Sequence, residues 1–238
     1  LVKKDREEGF INIITKKGLN FDLEEPKLEE SDRNVLGQQL FLLCKEDEII
    51  KAEYCKEMKY SEMIIGVNPQ GNLKSFKKNS ASTYKKVLTN SKEFIIIFTD
   101  RGFAYKIPGF MIGNIEDSTI NIEDLVDTFL KGKEKVLNIL SSKDFNEEIW
   151  MYFFTKRGMI KKTNIKELKG EYIETQVYKY KYEDDTLVTV EFGKDQNQEI
   201  LLVTEKAMGI KFTSNSIKEM GKVASGVTGI SLKEEDKV

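Results

Sequence analysis

One pattern recurs five times along the 238 residues and limits what the chain can become. A short run of Ile, Phe, Val, Leu or Met is followed by a Thr or Asn and, in most copies, by a glycine three residues on. A second run then mixes apolar and basic residues. The copies are INIITKKGLNF (11–21), MIIGVNPQGNLKSF (63–76), FIIIFTDRGFAYK (94–106), IWMYFFTKRGMIKK (149–162) and EILLVTEKAMGIKF (199–212). Each reads as a β-hairpin, because β-branched and aromatic residues favour strands and the polar–glycine break supplies the turn. The turn positions Thr15, Asn68, Thr99, Thr155 and Thr204 stand 53, 31, 56 and 49 residues apart, a spacing of the kind propeller blades show. Gly18, Gly71, Gly102 and Gly158 can take the positive φ such a turn wants. The fifth copy has Ala207 at that place and Gly209 two residues later, which predicts a shifted or distorted turn.

A second element repeats between the hairpins. GVTGISLKEEDKV (226–238) aligns without gaps on GQQLFLLCKEDEI (37–49), laying Asp236 over Asp47 and Val238 over Ile49. The stretches 177–190 and 120–140 take the same slot. Each repeat is therefore about four strands, and the expected fold is an all-β, propeller-like disc of five or six blades. Three prolines and no Gly/Ser linker predict one domain over 1–238. The last strand-like element leads towards another hairpin or is met by the N-terminal strands.

Composition removes whole classes of chemistry. The chain has no histidine, so Ser-His and Cys-His nucleophiles, histidine metal sites and the usual neutral-pH base are excluded. Cys44 and Cys55 cannot build a zinc site or a disulfide framework between them, which points to a reducing cytoplasm. The apolar run 149–154 is far shorter than the roughly 20 residues that span a bilayer. The net charge is −2, so a polyanion has to be met by a local patch.

Two such patches stand out. Residues 74–86 hold Lys74, Lys77, Lys78, Lys85 and Lys86 with no acid, and residues 156–169 hold Lys156, Arg157, Lys161, Lys162, Lys166 and Lys169 against Glu167 alone. Arg101, Lys106, Lys206, Lys211, Lys218 and Lys222 occupy related places in other repeats. Residues 1–62 carry 15 acids against 11 bases and make a poor polyanion surface. Lysines on strand edges also serve simply to prevent aggregation, which is the competing explanation for both patches. Phe76, Phe103, Tyr105 and Phe212 follow the turns at alternating positions, as core residues do.

The runs FIIIFTDRGFAYKIP, MYFFTKRGMIKKTNIKEL and EILLVTEKAMGIKFTSNSIKEMGKVASGVTGISLKEEDKV resemble the C-terminal domain of the DNA-cleaving A subunit of bacterial type IIA topoisomerases, the family of DNA gyrase and topoisomerase IV. The resemblance is strong from Lys86 to Val238 and dilute before that. It implies a β-pinwheel of five or six blades whose basic rim, formed by the cations named above, binds and bends duplex DNA. It also implies no catalytic, metal or cofactor site in this chain, with ATP and Mg²⁺ used elsewhere in an A2B2 holoenzyme whose B subunit meets other domains. The isolated domain is expected to be a monomer in the bacterial cytoplasm, associated with the nucleoid.

The gyrase form of this domain carries a Gln-Arg-Arg-Gly-Gly-Lys-Gly box after its first pinwheel hairpin. LKSFKKNSASTYKKV stands there instead, closer to topoisomerase IV of Gram-positive type. The topoisomerase IV form is thus the leading expectation. The gyrase wrapping domain and a propeller that binds protein are the alternatives.

Overall fold

All five hairpins form in the computed structural model, which describes the chain apart from residues 1–8, 17–19, 25–36, 38, 41–42, 44–45, 56–61, 77–82, 113–118, 130–131, 171, 195–196 and 234. They are β1 (Phe10–Thr15) with β2 (Asn20–Glu24), β4 (Glu62–Val67) with β5 (Asn72–Phe76), and β7 (Phe94–Thr99) with β8 (Phe103–Pro108). The remaining two are β11 (Trp150–Thr155) with β12 (Met159–Asn164) and β15 (Glu199–Val203) with β16 (Gly209–Thr213). Below they are called blades A to E.

A third strand lies antiparallel on the first strand of blades A to D: β3 (Ile49–Cys55) on β1, β6 (Lys85–Asn90) on β4, β10 (Val136–Ser142) on β7 and β14 (Leu187–Gly193) on β11. The fourth strand comes from the next repeat. β9 (Ile120–Asn121), which follows the blade C hairpin, pairs with β5 of blade B. In the same way β13 (Glu174–Gln176) pairs with β8, and β17 (Val227–Thr228) with β12. Blades B, C and D are therefore four-stranded sheets, each closed by the repeat after it. The sheets are all antiparallel and the one α-helix among the described residues, α1 (Ile122–Leu125), is a single turn. Among the described residues no helix is long and apolar enough to cross a membrane.

The unbroken apolar runs of the hairpins follow from this stacking. A strand buried on both faces has no need of polar alternation. In β7, Ile95 and Ile97 enter one core with Ile65, Val67 and Leu73, while Ile96 and Phe98 enter another with Met151, Phe153 and Val190. In β11, Met151 and Phe153 share that second core, and Trp150, Tyr152 and Phe154 form a third with Ile200 and Leu202. Core thus lies between successive blades.

The turns of blades B to E use one device, while Gly18 of blade A lies outside the described residues. The N–H of Gly71, Gly102 and Gly158 donates to the carbonyl three residues earlier, at Asn68, Thr99 and Thr155. Each glycine has φ between 75° and 83°, as in a three-residue hairpin loop ending in a left-handed residue. Ala207 takes the same place with φ 59° and donates to Thr204, so the fifth turn is neither shifted nor distorted, against expectation. The side chain at the Thr/Asn position secures the loop. Thr155 Oγ1 accepts the Met159 N–H and Thr204 Oγ1 the Met208 N–H, both at 3.2 Å, and Asn68 Oδ1 accepts the Asn72 N–H at 2.8 Å.

What separates Ala207 from the glycines is cover. The Gly102 carbonyl accepts the N–H groups of Val177 and Tyr178, and the Gly158 carbonyl those of Gly229 and Ile230. A Cβ on Gly102 would lie 2.7 Å from the Tyr178 carbonyl oxygen, and one on Gly158 2.8 Å from that of Ile230.

A carboxylate recurs just before the third-strand position. The Asp100 N–H donates to the Lys135 carbonyl, Lys156 to Thr186 and Glu205 to Lys237, which makes Glu134, Asp185 and Asp236 equivalent. Lys16 N–H donates likewise to Glu48, adding Asp47, so the alignment of Asp236 over Asp47 holds in the structure. Asp185 Oδ1 accepts the Arg157 N–H, and Asp236 takes the Thr204 hydroxyl at 2.7 Å. Glu134, whose side chain is fully buried, takes the hydroxyls of Thr99 at 2.5 Å and Tyr105 at 3.1 Å. Burial and the Glu134 charge push the Tyr105 hydroxyl far above its ordinary value.

Candidate nucleic-acid interface

The first cationic patch is brought together on blade B. Lys74 on β5 and Lys86 on β6 are both register partners of Gly66 on β4, so they flank it on the two sides of the strand. Side chains directly across a sheet share a face. Gly66 leaves that face open, and the Phe76 ring fills the space, 2.6 Å from where a Gly66 Cβ would stand. Lys86 Nζ sits 4.2 Å from the Phe76 centroid, and Phe76 meets Tyr84 edge-on at 5.5 Å. Lys85, next along, is exposed. Lys77 and Lys78 lie outside the described residues.

The second patch is not one surface. Lys156 and Arg157 are at the hairpin turn of blade D, while Lys166 and Lys169 are exposed on and just after the single 3-10 turn Ile165–Leu168 at the opposite end. A six-residue strand separates them by about 17 Å at roughly 3.3 Å per residue.

Between the ends the expectation fails for Lys161 and Lys162, which are 0% and 5% exposed. Lys161 Nζ donates to the carbonyl of Val177, to that of Lys222 at 2.6 Å and to that of Gly221 at 3.4 Å. The ring of Phe153 lies 4.7 Å from it and that of Tyr178 5.4 Å. Burial pushes the ammonium down to about 7, with the Glu167 charge opposing. Lys162 Nζ lies 5.4 Å from the Trp150 ring. Desolvation already spent on intramolecular partners leaves neither lysine free to meet a phosphate, so both leave the interface. Lys161 ties later segments of the chain to blade D instead, and Lys162 packs within its own hairpin.

The other expected cations divide by their partners. Arg157 pairs with Asp184 at 2.5 Å and stacks on Tyr182 at 4.8 Å. That pairing holds the exposed Asp184 carboxyl below its ordinary range. Arg101 reaches buried Glu134 at 3.5 Å and Lys211 pairs with Glu199 at 2.6 Å. Lys106 donates to the Gly170 carbonyl and lies over the rings of Phe94 and Phe145. Lys206 is exposed at the blade E turn, and Lys222 is half-buried with its N–H on Glu167. Lys74, Lys85, Lys156, Lys166, Lys169 and Lys218 have no carboxylate of the described residues within ion-pair distance.

Lys143 stands outside both patches as read from the sequence. It is exposed where β10 ends, and with Lys169 it bears on Asp144, whose carboxyl is held low first by Asn146 and then by these two lysines. The adjacent acid hides it among runs chosen for lacking acids. Of the two cysteines, Cys44 lies outside the described residues and the Cys55 thiol donates to the Phe10 carbonyl at 3.4 Å.

Comparison with known proteins agrees with this architecture. The family model of the DNA gyrase C-terminal β-propeller domain matches residues 93–114, 150–170 and 198–238, which contain the hairpins of blades C, D and E. The A subunit of DNA gyrase from Metamycoplasma arthritidis is 35% identical over 159 residues, 64% of this chain and 17% of that protein. The A subunit of DNA topoisomerase 4 from Staphylococcus aureus is 26% identical over 98% of this chain and 30% of its own length. The chain thus spans less than a third of either relative. A crystal structure of the C-terminal domain of DNA topoisomerase IV superposes with TM-score 0.66 and 22% identity, covering 76% of this chain and 60% of that one.

Proposed function

We propose that this chain, a C-terminal β-propeller domain of a type IIA topoisomerase A subunit, binds duplex DNA on its exposed lysines and bends it, while strand cleavage and ATP hydrolysis are performed elsewhere in the enzyme. The observation that carries this reading is the convergence of Lys74 and Lys86 on the two sides of Gly66. Phosphate contacts of this kind supply affinity without sequence readout. Bending about 20–30 base pairs by roughly 40–90° costs on the order of 1–6 kcal/mol, which contacts spread over several blades can offset. Lys166, Lys169 and Lys218 extend the surface beyond blade B.

The parent enzyme in this reading is cytoplasmic topoisomerase IV, with its B subunit for a partner and the five repeats acting as one pinwheel. The topoisomerase 4 relative aligns over almost the whole chain, and no Gln-Arg-Arg-Gly-Gly-Lys-Gly stands after the blade B hairpin. The higher identity of the gyrase relative favours DNA gyrase as a second reading. Minicircle topology separates the two. The gyrase reading expects the domain to trap a writhe of one sign, and topoisomerase IV expects bending alone.

The test is affinity for short duplex DNA between about 50 and 200 mM salt, with end-to-end energy transfer reporting the bend. Lys74→Glu/Lys86→Glu is expected to weaken binding and lower the salt slope by about 0.9 per lost phosphate contact. Lys166→Glu/Lys169→Glu should do the same to a smaller degree. Absence of binding at the lowest salt would remove the DNA reading and leave a protein-binding propeller.

A further inference from the structure

Blades C and D are covered at their turns by different side chains. In the segment that returns over blade C, Val177 and Tyr178 give their N–H groups to the Gly102 carbonyl, and over blade D Gly229 and Ile230 give theirs to the Gly158 carbonyl. Two residues further on, Leu232 therefore stands where Tyr180 stands over blade C. Tyr180 packs its ring on Tyr178 at 5.2 Å, accepts the Leu187 N–H at 3.0 Å and donates its hydroxyl to the Asp100 carbonyl. Over blade D both places are aliphatic. The Val238 N–H donates straight to the Lys156 carbonyl, and Ile230 and Leu232 line a groove of about 630 Å³ beside the turn.

The walls are the blade D turn, Tyr182 and Asp184 before β14, and the returning segment 228–237. A third strand does not enter this space: β14 begins at Leu187, the counterpart of Val238, and runs away from the turn. Most charge on the walls is already matched. Arg157 pairs with Asp184, Lys237 pairs with Glu205 at 2.8 Å, and Asp236 takes the Thr204 hydroxyl and the Lys206 N–H. Lys156 and Lys233 are left, with no carboxylate of the described residues within ion-pair distance, against Glu235. Lys156 is half-buried, and attraction between charges strengthens where water is displaced. Lysine meets a phosphate as a point charge, whereas a carboxylate is best held by the paired donors of arginine, and Arg157 is engaged. Met159, Ile230 and Leu232 add apolar surface beside these cations.

We propose that this groove binds one nucleotide, its base against Met159, Ile230 and Leu232 where blade C has the Tyr180 ring, and its phosphate held by Lys156 and Lys233. An apolar lining with a few polar groups to fix orientation is the usual form of a small-ligand site, and the volume suits one. A free monophosphate and an unpaired residue of a DNA strand present the same ring and phosphate. The site is separate from the Lys74 and Lys86 surface of blade B, so it stands or falls apart from duplex binding there.

The probes are thymidine monophosphate and a short oligothymidine, each titrated into the whole chain with the amide resonances of Lys156, Leu232 and Lys233 as the readout. Saturable shifts with a dissociation constant of about 1 mM or tighter are expected. Inorganic phosphate and free thymidine, each offering half of the ligand, should bind at least about tenfold more weakly. Leu232→Tyr sets in the groove the ring that blade C has and should abolish binding. If that variant disturbs the core around Ile230, Lys156→Gln on the wall should weaken binding about tenfold instead. Tighter binding of the oligonucleotide assigns the site to a DNA strand, and tighter binding of the monophosphate assigns it to a free nucleotide. Equal binding of inorganic phosphate, or shifts that Leu232→Tyr leaves unchanged, overturn the proposal, since either puts the ligand on surface charge alone. So does absence of saturation below about 10 mM.

Discussion

Blades D and E start from nearly the same hairpin and end differently. Both turn through a Thr whose hydroxyl accepts an N–H four residues on, and both put a residue at positive φ. In blade D the returning segment 226–230 lies over that residue, which is Gly158, and the Lys161 ammonium is wrapped by carbonyls of Val177, Gly221 and Lys222. In blade E the equivalent residues are Ala207 and Ile210, both exposed. Positive φ costs an alanine on the order of 1 kcal/mol, which a fold tolerates. A methyl driven into another backbone it does not. At position 158 the glycine is therefore set by what the next repeat lays on it.

The sharpest way to break this comparison is a reciprocal exchange. Gly158→Ala should destabilise by about 4 kcal/mol, combining the φ cost with overlap on Ile230. Ala207→Gly should change stability by less than about 1 kcal/mol and in the stabilising direction. Denaturant melts of both variants decide it, and equal effects would mean that φ alone selects glycine.

Lys161→Met comes next. It leaves one buried and two part-buried carbonyls short of a donor, for an expected loss of about 3 kcal/mol. The wild type should also respond to pH in a way this variant does not. The folded Lys161 ammonium titrates near about 7 and the unfolded one near roughly 10.4, so between these values the unfolded chain binds more protons. Stability should therefore rise, relative to Lys161→Met, by up to about 1.4 kcal/mol per pH unit from about pH 7 towards 10, as urea melts at roughly pH 7 and 9 would show.

A smaller effect sharpens the role of the recurrent acid. Thr99→Val takes one donor from buried Glu134 and should cost about 2 kcal/mol, whereas Thr204→Val, beside more accessible Asp236, should cost about 1 kcal/mol. Thermal melts compare the two. Asp236 is held low by the Thr204 hydroxyl and the N–H groups of Lys206 and Lys237, against burial. Its contribution is present above the ordinary carboxylate range and is lost as pH falls through its lowered value.

The hairpins were legible because their apolar runs and turn residues are local signals, and the alignment of Asp236 on Asp47 carried over to equivalent turn contacts. The interface was legible only in part. Clustering of cations along the chain marks Lys74 and Lys86, which the register of β5 and β6 brings to one glycine. The same clustering groups Lys156 with Lys166, which a strand length keeps apart, and includes Lys161, whose partners lie 16 to 61 residues away. Lys143 escapes it because its neighbour in sequence is an acid, although the space around it holds Lys169.

By itself the sequence determined the all-β class, the number and placing of the hairpins and the turn device, since strand periodicity and turn chemistry act within a few residues. Only the tertiary structure decided which lysines meet solvent, which glycines are indispensable and that blades B, C and D each borrow a fourth strand from the next repeat. Those depend on contacts between segments tens of residues apart, where burial rather than local propensity sets the free energy.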